Sequence, residues 1–180
     1  MRWSSRLAAA LVVSAMIGAC VERTVPTSKT PSPAPTDVTG ASAIVLVAML
    51  HSGPGQSGLP AAAGESACRG AATVTIDPTP RGALNLAVAR FQVTIIGCPP
   101  GTTLTSVHLH RMPIGTVEEW IGSDLPEFAM PSGDGSFTST NQGVPLARAQ
   151  AVVDDPTNFY IHFHSRNNPV GFLRGELMPR

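Results

Sequence analysis

The chain has 180 residues, 43% of them hydrophobic and only 13% charged, about half the charged share of an ordinary soluble protein. That length suits one domain with appendages, and 17 Gly with 17 Pro favour short strands and turns over long amphipathic helices. Lys+Arg and Asp+Glu each number 12. With no basic excess and no basic patch, nucleic acid is excluded as a partner, because phosphate recognition rests on clustered positive charge.

Arg2 and Arg6 precede an uncharged apolar run at residues 7–19. Such a run is too short for a bilayer core, which takes about 20 residues, and it reads as the apolar part of a signal peptide over residues 1–19. It ends Ile17-Gly18-Ala19-Cys20, which resembles the lipobox of bacterial lipoproteins. The resemblance implies that the Cys20 thiol receives acyl chains of the palmitate type and becomes the mature N-terminus. The chain would then be anchored to the membrane on its extracytoplasmic side. In an ordinary signal peptide Cys20 would be incidental. Residues 20–42 contain Pro26, Pro31, Pro33 and Pro35 and almost no large apolar side chain, so they read as an extended tether.

Strand patterns fill residues 43–180. Residues 43–50 are a continuous apolar run, and residues 72–77 alternate around Val74 and Ile76 up to the turn signal Asp77-Pro78. Residues 83–96 carry Leu84, Leu86 and Val88 on one parity and Phe91, Val93 and Ile95 on the other, which predicts a bulge or break near Ala89-Arg90. In residues 103–110, Val107 and Leu109 face inward while Ser106, His108 and His110 face outward. In residues 158–165, Phe159, Ile161 and Phe163 face inward while Tyr160, His162 and His164 face outward. Residues 172–178 close the set. Residues 116–120 and 146–153 are ambiguous between strand and short helix. The expected class is all-β, an antiparallel immunoglobulin-like sandwich.

Two further cysteines, Cys68 and Cys98, are an even pair in an exported domain and predict a disulfide. A metal-thiolate site would need more ligands, and neither cysteine has a His or Cys within several residues.

The chemistry-bearing feature is a pair of His-X-His motifs, His108-Leu109-His110 and His162-Phe163-His164. On a strand, residues i and i+2 share a face roughly 6–7 Å apart. Two imidazoles so placed can converge on one copper or zinc ion, and neighbouring strands would bring four nitrogens to one centre. The alternative is a polar network or solvated face without metal. No catalytic set is legible. The nucleophile-elbow pattern of serine hydrolases is missing, Glu118-Glu119 and Asp154-Asp155 read as solvated turns, and Ser165 beside His164 has no base arrangement. Residues 53–58 read as a flexible Gly-rich loop.

From about Val47 to Arg180 the chain resembles the CHRD domain, named after chordin. The resemblance is carried by Gly70-Ala71-Ala72-Thr73-Val74-Thr75-Ile76-Asp77-Pro78, by Val107-His108-Leu109-His110, and by Phe159-Tyr160-Ile161-His162-Phe163-His164-Ser165. It continues through Asn168-Pro169-Val170-Gly171-Phe172-Leu173-Arg174-Gly175-Glu176-Leu177. It implies an immunoglobulin-like sandwich with limited similarity to copper/zinc superoxide dismutases, and histidines at positions 108, 110 and 164. His162 departs from the family's usual Asn. Gln56–Pro60 departs from its Asn-Glu-Val-Pro-Pro run, and the Cys68–Cys98 pair is additional. Arg174 would steer an anion or anchor a turn. Two expectations follow: a lipid-anchored binding or structural module with no established catalysis and a protein or envelope partner unnamed, or a surface copper- or zinc-binding protein using the four histidines, with superoxide dismutase-like redox activity a further step.

Overall fold

The computed structural model describes residues 42–53, 64–116, 118–123 and 125–180. The signal segment 1–19, Cys20, the tether as far as Ala41 and most of the Gly-rich loop lie outside the described residues. Ten strands are described: β1 (Ile44–Ser52), β2 (Arg69–Arg81), β3 (Leu86–Ile96), β4 (Thr102–Arg111), β5 (Glu119–Gly122), β6 (Phe128–Met130), β7 (Gly135–Pro145), β8 (Phe159–Ser165), β9 (Leu173–Glu176) and β10 (Met178–Pro179). One helix, α1 (Leu146–Asp154), joins them.

All the strands belong to one antiparallel sheet in the order β5-β4-β8-β9-β1-β2-β3-β7, with β10 on β1 and β6 on β4. The sheet is nearly closed into a barrel-like sandwich, as the all-β reading expected. Its two ends are drawn together by side chains: Ser123 donates to Ser139 at 2.7 Å, and Asn141 donates to the Gly122 carbonyl at 3.0 Å. Leu46, Leu50, Val74, Ile76, Phe91, Ile95, Leu109, Ile161 and Phe163 point into the interior and are buried. Each such side chain contributes about 1.5–3 kcal/mol relative to exposure.

Two sequence expectations change. β3 is unbroken: it pairs with β2 in one register from Ile96 back to Val88. Its inward row is Ala87, Ala89, Phe91, Val93 and Ile95, while Leu84 is 79% exposed. Small alanines carry the inward face there because α1 packs over that end, burying Ala149 and Val152. The irregularity lies on the partner strand, where β7 loses register between Asn141 and Val144. β2 also runs past Asp77-Pro78 to Arg81. Its ladder is interrupted there, with Asp77 accepting the Thr79 N–H at 3.0 Å.

The ambiguous residues 146–153 are helical, and Pro156 follows the helix end with no amide hydrogen to continue it. Arg148 donates to the carbonyls of Glu119 and Trp120, and the Trp120 indole donates to Arg148 O at 3.1 Å, so α1 also fastens β5. Cys68 and Cys98 form the expected disulfide just beyond the Arg69–Ile96 pair, with Cα atoms 4.5 Å apart.

Candidate metal centre

The two His-X-His strands are neighbours. β4 pairs with β8 so that His108 lies opposite His162, Ser106 opposite His164 and His110 opposite Tyr160. A bulge makes this possible. Leu104 and Val107 both point into the core although they are three positions apart, and the β4–β8 ladder shifts register between Leu104 and Ser106. One extra residue in β4 thus turns Ser106, His108 and His110 together onto the second face, as bulges beside functional sites often do.

That second face is covered rather than solvated, which corrects the outward reading. His110, Tyr160 and His162 are each 1% exposed, His164 is 7% and His108 is 9%. The cover comes from the segments after β4 and β8. Gly115 donates its N–H to the Tyr160 hydroxyl at 3.3 Å, Glu118 brings its carbonyl to His110, and the turn after β8 brings Pro169 and Gly171 onto His164 and His162. A Cβ at Gly171 would lie 2.0 Å from His162 Nε2, so only glycine allows the turn to close on the ring.

His108, His110 and His164 each offer a nitrogen, and these nitrogens all lie within 4.8 Å of one another. The partners of the other nitrogens fix which atoms face the centre. His164 Nδ1 donates to Pro169 O at 2.8 Å, and His110 Nδ1 donates to Glu118 O at 2.8 Å. Both rings therefore present Nε2 lone pairs inward. His108 Nδ1 lies 2.9 Å from His110 Nε2 and donates to it, while His108 Nε2 accepts from the Ser106 hydroxyl at 3.2 Å. The two carbonyls are the arrangement that orients imidazole ligands and raises their basicity.

The fourth candidate, His162, stands beside the trio, its ring 4.7 Å from that of His164 and 5.5 Å from that of His110. Among the described residues, His162 Nδ1 and His164 Nε2 are buried without a hydrogen-bond partner, a costly state for polar atoms.

The electrostatics suit neutral ligands. Burial, with His164 and His110 adding to it, holds the His108 pKa down to about 3. Burial, followed by His164, His110, His108 and Arg174, does the same to His162, also to about 3. His110 is lowered by burial against the opposing hydrogen bond to Glu118. Burial thus favours the neutral form of these three rings, each keeping one N–H and one lone pair. Imidazoles alone, without a carboxylate among the three, fit copper or zinc rather than calcium or magnesium.

Arg174 pairs with both His162 and His51 and lines a cavity of about 100 Å³ with His51, Ile114, Tyr160 and Glu176, separate from the three converging nitrogens. Ser165 donates to Glu65 rather than turning to His164. Asp154 accepts from Gln150 on α1, and Glu118 offers its carbonyl to the centre rather than its carboxylate. The sequence reading missed Glu65, Gly171 and the carbonyls of Glu118 and Pro169. Gly171 carries a signal in its Asn-Pro-X-Gly setting, whereas backbone carbonyls carry none. No protein-family model, curated protein or solved structure matches the chain.

Proposed function

We propose that this chain is a lipid-anchored extracytoplasmic module whose domain holds one copper or zinc ion through His108 Nδ1, His110 Nε2 and His164 Nε2. The observation that carries the reading is the convergence of three buried nitrogens within 4.8 Å, with the far nitrogens of His110 and His164 fastened to carbonyls. His162 packs beside the trio, its ring 4.7 Å from that of His164. Anchoring rests on the lipobox-like Ile17-Gly18-Ala19-Cys20 and on the tether that follows it.

The second reading, a binding module whose histidines form a polar network, is favoured by the His108–His110 hydrogen bond. It leaves the buried His164 Nε2 without a partner, which a metal ion would supply, and for that reason the metal reading takes precedence. X-ray absorption on copper- or zinc-loaded protein tests it. An all-nitrogen shell near 2.0–2.1 Å with imidazole scattering is expected, and an oxygen-dominated shell would overturn it. Mass spectrometry of the membrane-extracted chain tests the anchor: acylation at Cys20, lost in Cys20→Ala, is expected.

A further inference from the structure

Glu65 is a fully buried acid, 0% exposed, and is not one of the three converging ligands. Ser165, at the end of β8, lies 2.8 Å from both of its carboxylate oxygens. Its hydroxyl donates to the carboxylate and accepts the Asn168 N–H at 2.9 Å. The Ser165 N–H in turn donates to the Asn168 carbonyl at 3.3 Å, and the Gly171 N–H donates to the same carbonyl at 3.1 Å.

Glu65 is itself held. Its carbonyl accepts from the Ser52 hydroxyl and from the Cys68 N–H at 3.1 Å, and Ser52 also donates to Phe172 O at 3.2 Å. The turn at residues 165–172 is therefore tied at its start to Glu65 and at its end to Ser52. Between those ties it delivers Pro169 O to His164 Nδ1 and lays Gly171 on the His162 ring.

A buried carboxylate carries a large desolvation cost, and its hydrogen bonds are where that cost is offset. The principal tie here is to the turn that orients a candidate ligand. We propose that Glu65 is a positioning residue of the metal centre: through Ser165 it fixes the turn whose Pro169 carbonyl holds His164 with Nε2 facing the other imidazoles. This rests on the proposed metal reading for its effect on affinity, but not for its effect on His164. It also gives the Asn168-Pro169-Val170-Gly171 segment a physical role, as the turn that aims one histidine and packs another.

The test uses the whole chain, metal-free and labelled with ¹⁵N at histidine, followed by titration with zinc. Long-range proton–nitrogen spectra read which nitrogen of His164 carries the proton. In the parent and in Glu65→Gln, whose amide oxygen still accepts from Ser165, His164 is expected to be protonated at Nδ1. In Glu65→Ala that signature is expected to give way to a mixture of tautomers, and zinc affinity to fall about 10–100-fold, the usual effect of losing an orienting partner. Should Glu65→Ala fail to fold, the Glu65→Met/Ser165→Ala double variant replaces both partners with apolar groups at little cost and answers the same question. A folded variant with an unchanged His164 tautomer overturns the proposal, as does Glu65→Gln behaving like Glu65→Ala. If the parent binds no zinc while the tautomer still responds, the positioning role stands and the metal reading falls.

Discussion

His108 and His162 are direct partners across the β4–β8 ladder, yet the His108 ring turns to its strand-mate, placing its Nδ1 2.9 Å from His110 Nε2. A metal ion and this hydrogen bond cannot share the same nitrogens. Loading the centre therefore requires His108 to move its proton from Nδ1 to Nε2, where Ser106 Oγ is the waiting acceptor at 3.2 Å. Histidine ¹⁵N spectra should show the His108 tautomer reversing on metal addition, with His110 and His164 keeping theirs. Ser106→Ala should leave the fold intact and lower affinity about 10-fold. A His108 tautomer that does not change on loading would contradict this ligand assignment.

Acid should destabilise the metal-free domain through its buried imidazoles. His108 and His162 are held to a pKa of about 3 in the fold, whereas an unfolded chain titrates histidine near 6.5. Between those values the unfolded state binds more protons, so stability rises with pH and is lost as pH falls from about 6.5 toward 3. Unfolding at pH 5 should take up about two protons for this pair, measurable from calorimetric enthalpies in buffers of different ionisation heat. A flat stability profile from pH 6.5 to 4 would contradict the burial of neutral rings.

Gly171 has φ +98° and leaves no room for a side chain beside His162. Gly171→Ala should cost about 2–4 kcal/mol, from the left-handed backbone and from overpacking together, read by urea denaturation. In the Gly171→Ala/His162→Ala double variant the overpacking part should disappear and the backbone part remain. Strict additivity of the two changes would show that the contact carries no energy.

The Cys68–Cys98 bond closes a separation of 30 residues. In the chain-entropy account its removal by Cys68→Ala/Cys98→Ala should lower stability by about 3–4 kcal/mol, seen as a fall in the denaturation midpoint. Because Cys68 follows the Glu65–Ala67 turn, the loosened end should appear first in hydrogen exchange at residues 64–68.

Much of this architecture is written in side-chain periodicity. Leu46, Ala48 and Leu50, or Phe159, Ile161 and Phe163, announce strands because alternate positions must meet one core. The two His-X-His motifs announce a shared face for the same reason. What periodicity could not convey is equally physical. The inward row of β3 runs through Ala87 and Ala89, too small to outweigh the exposed Leu84 in a pattern. The inward row of β7 passes through Ser139 and Asn141, opposite Phe91 and Ala89, so its hydrophobic signal is faint. Burial of His110 and His162 depends on the segments after β4 and β8 folding back over them. Their orientation depends on carbonyls of Glu118 and Pro169 that any residue would supply.

The most direct measurement is calorimetric titration of the metal-free chain with copper and with zinc, beside a His108→Ala/His164→Ala variant whose folding is verified by circular dichroism. One ion bound per chain with submicromolar affinity, and no binding in the folded variant, is the expected result. No binding in the parent, or equal binding in the variant, would contradict the assignment of these histidines as a metal centre.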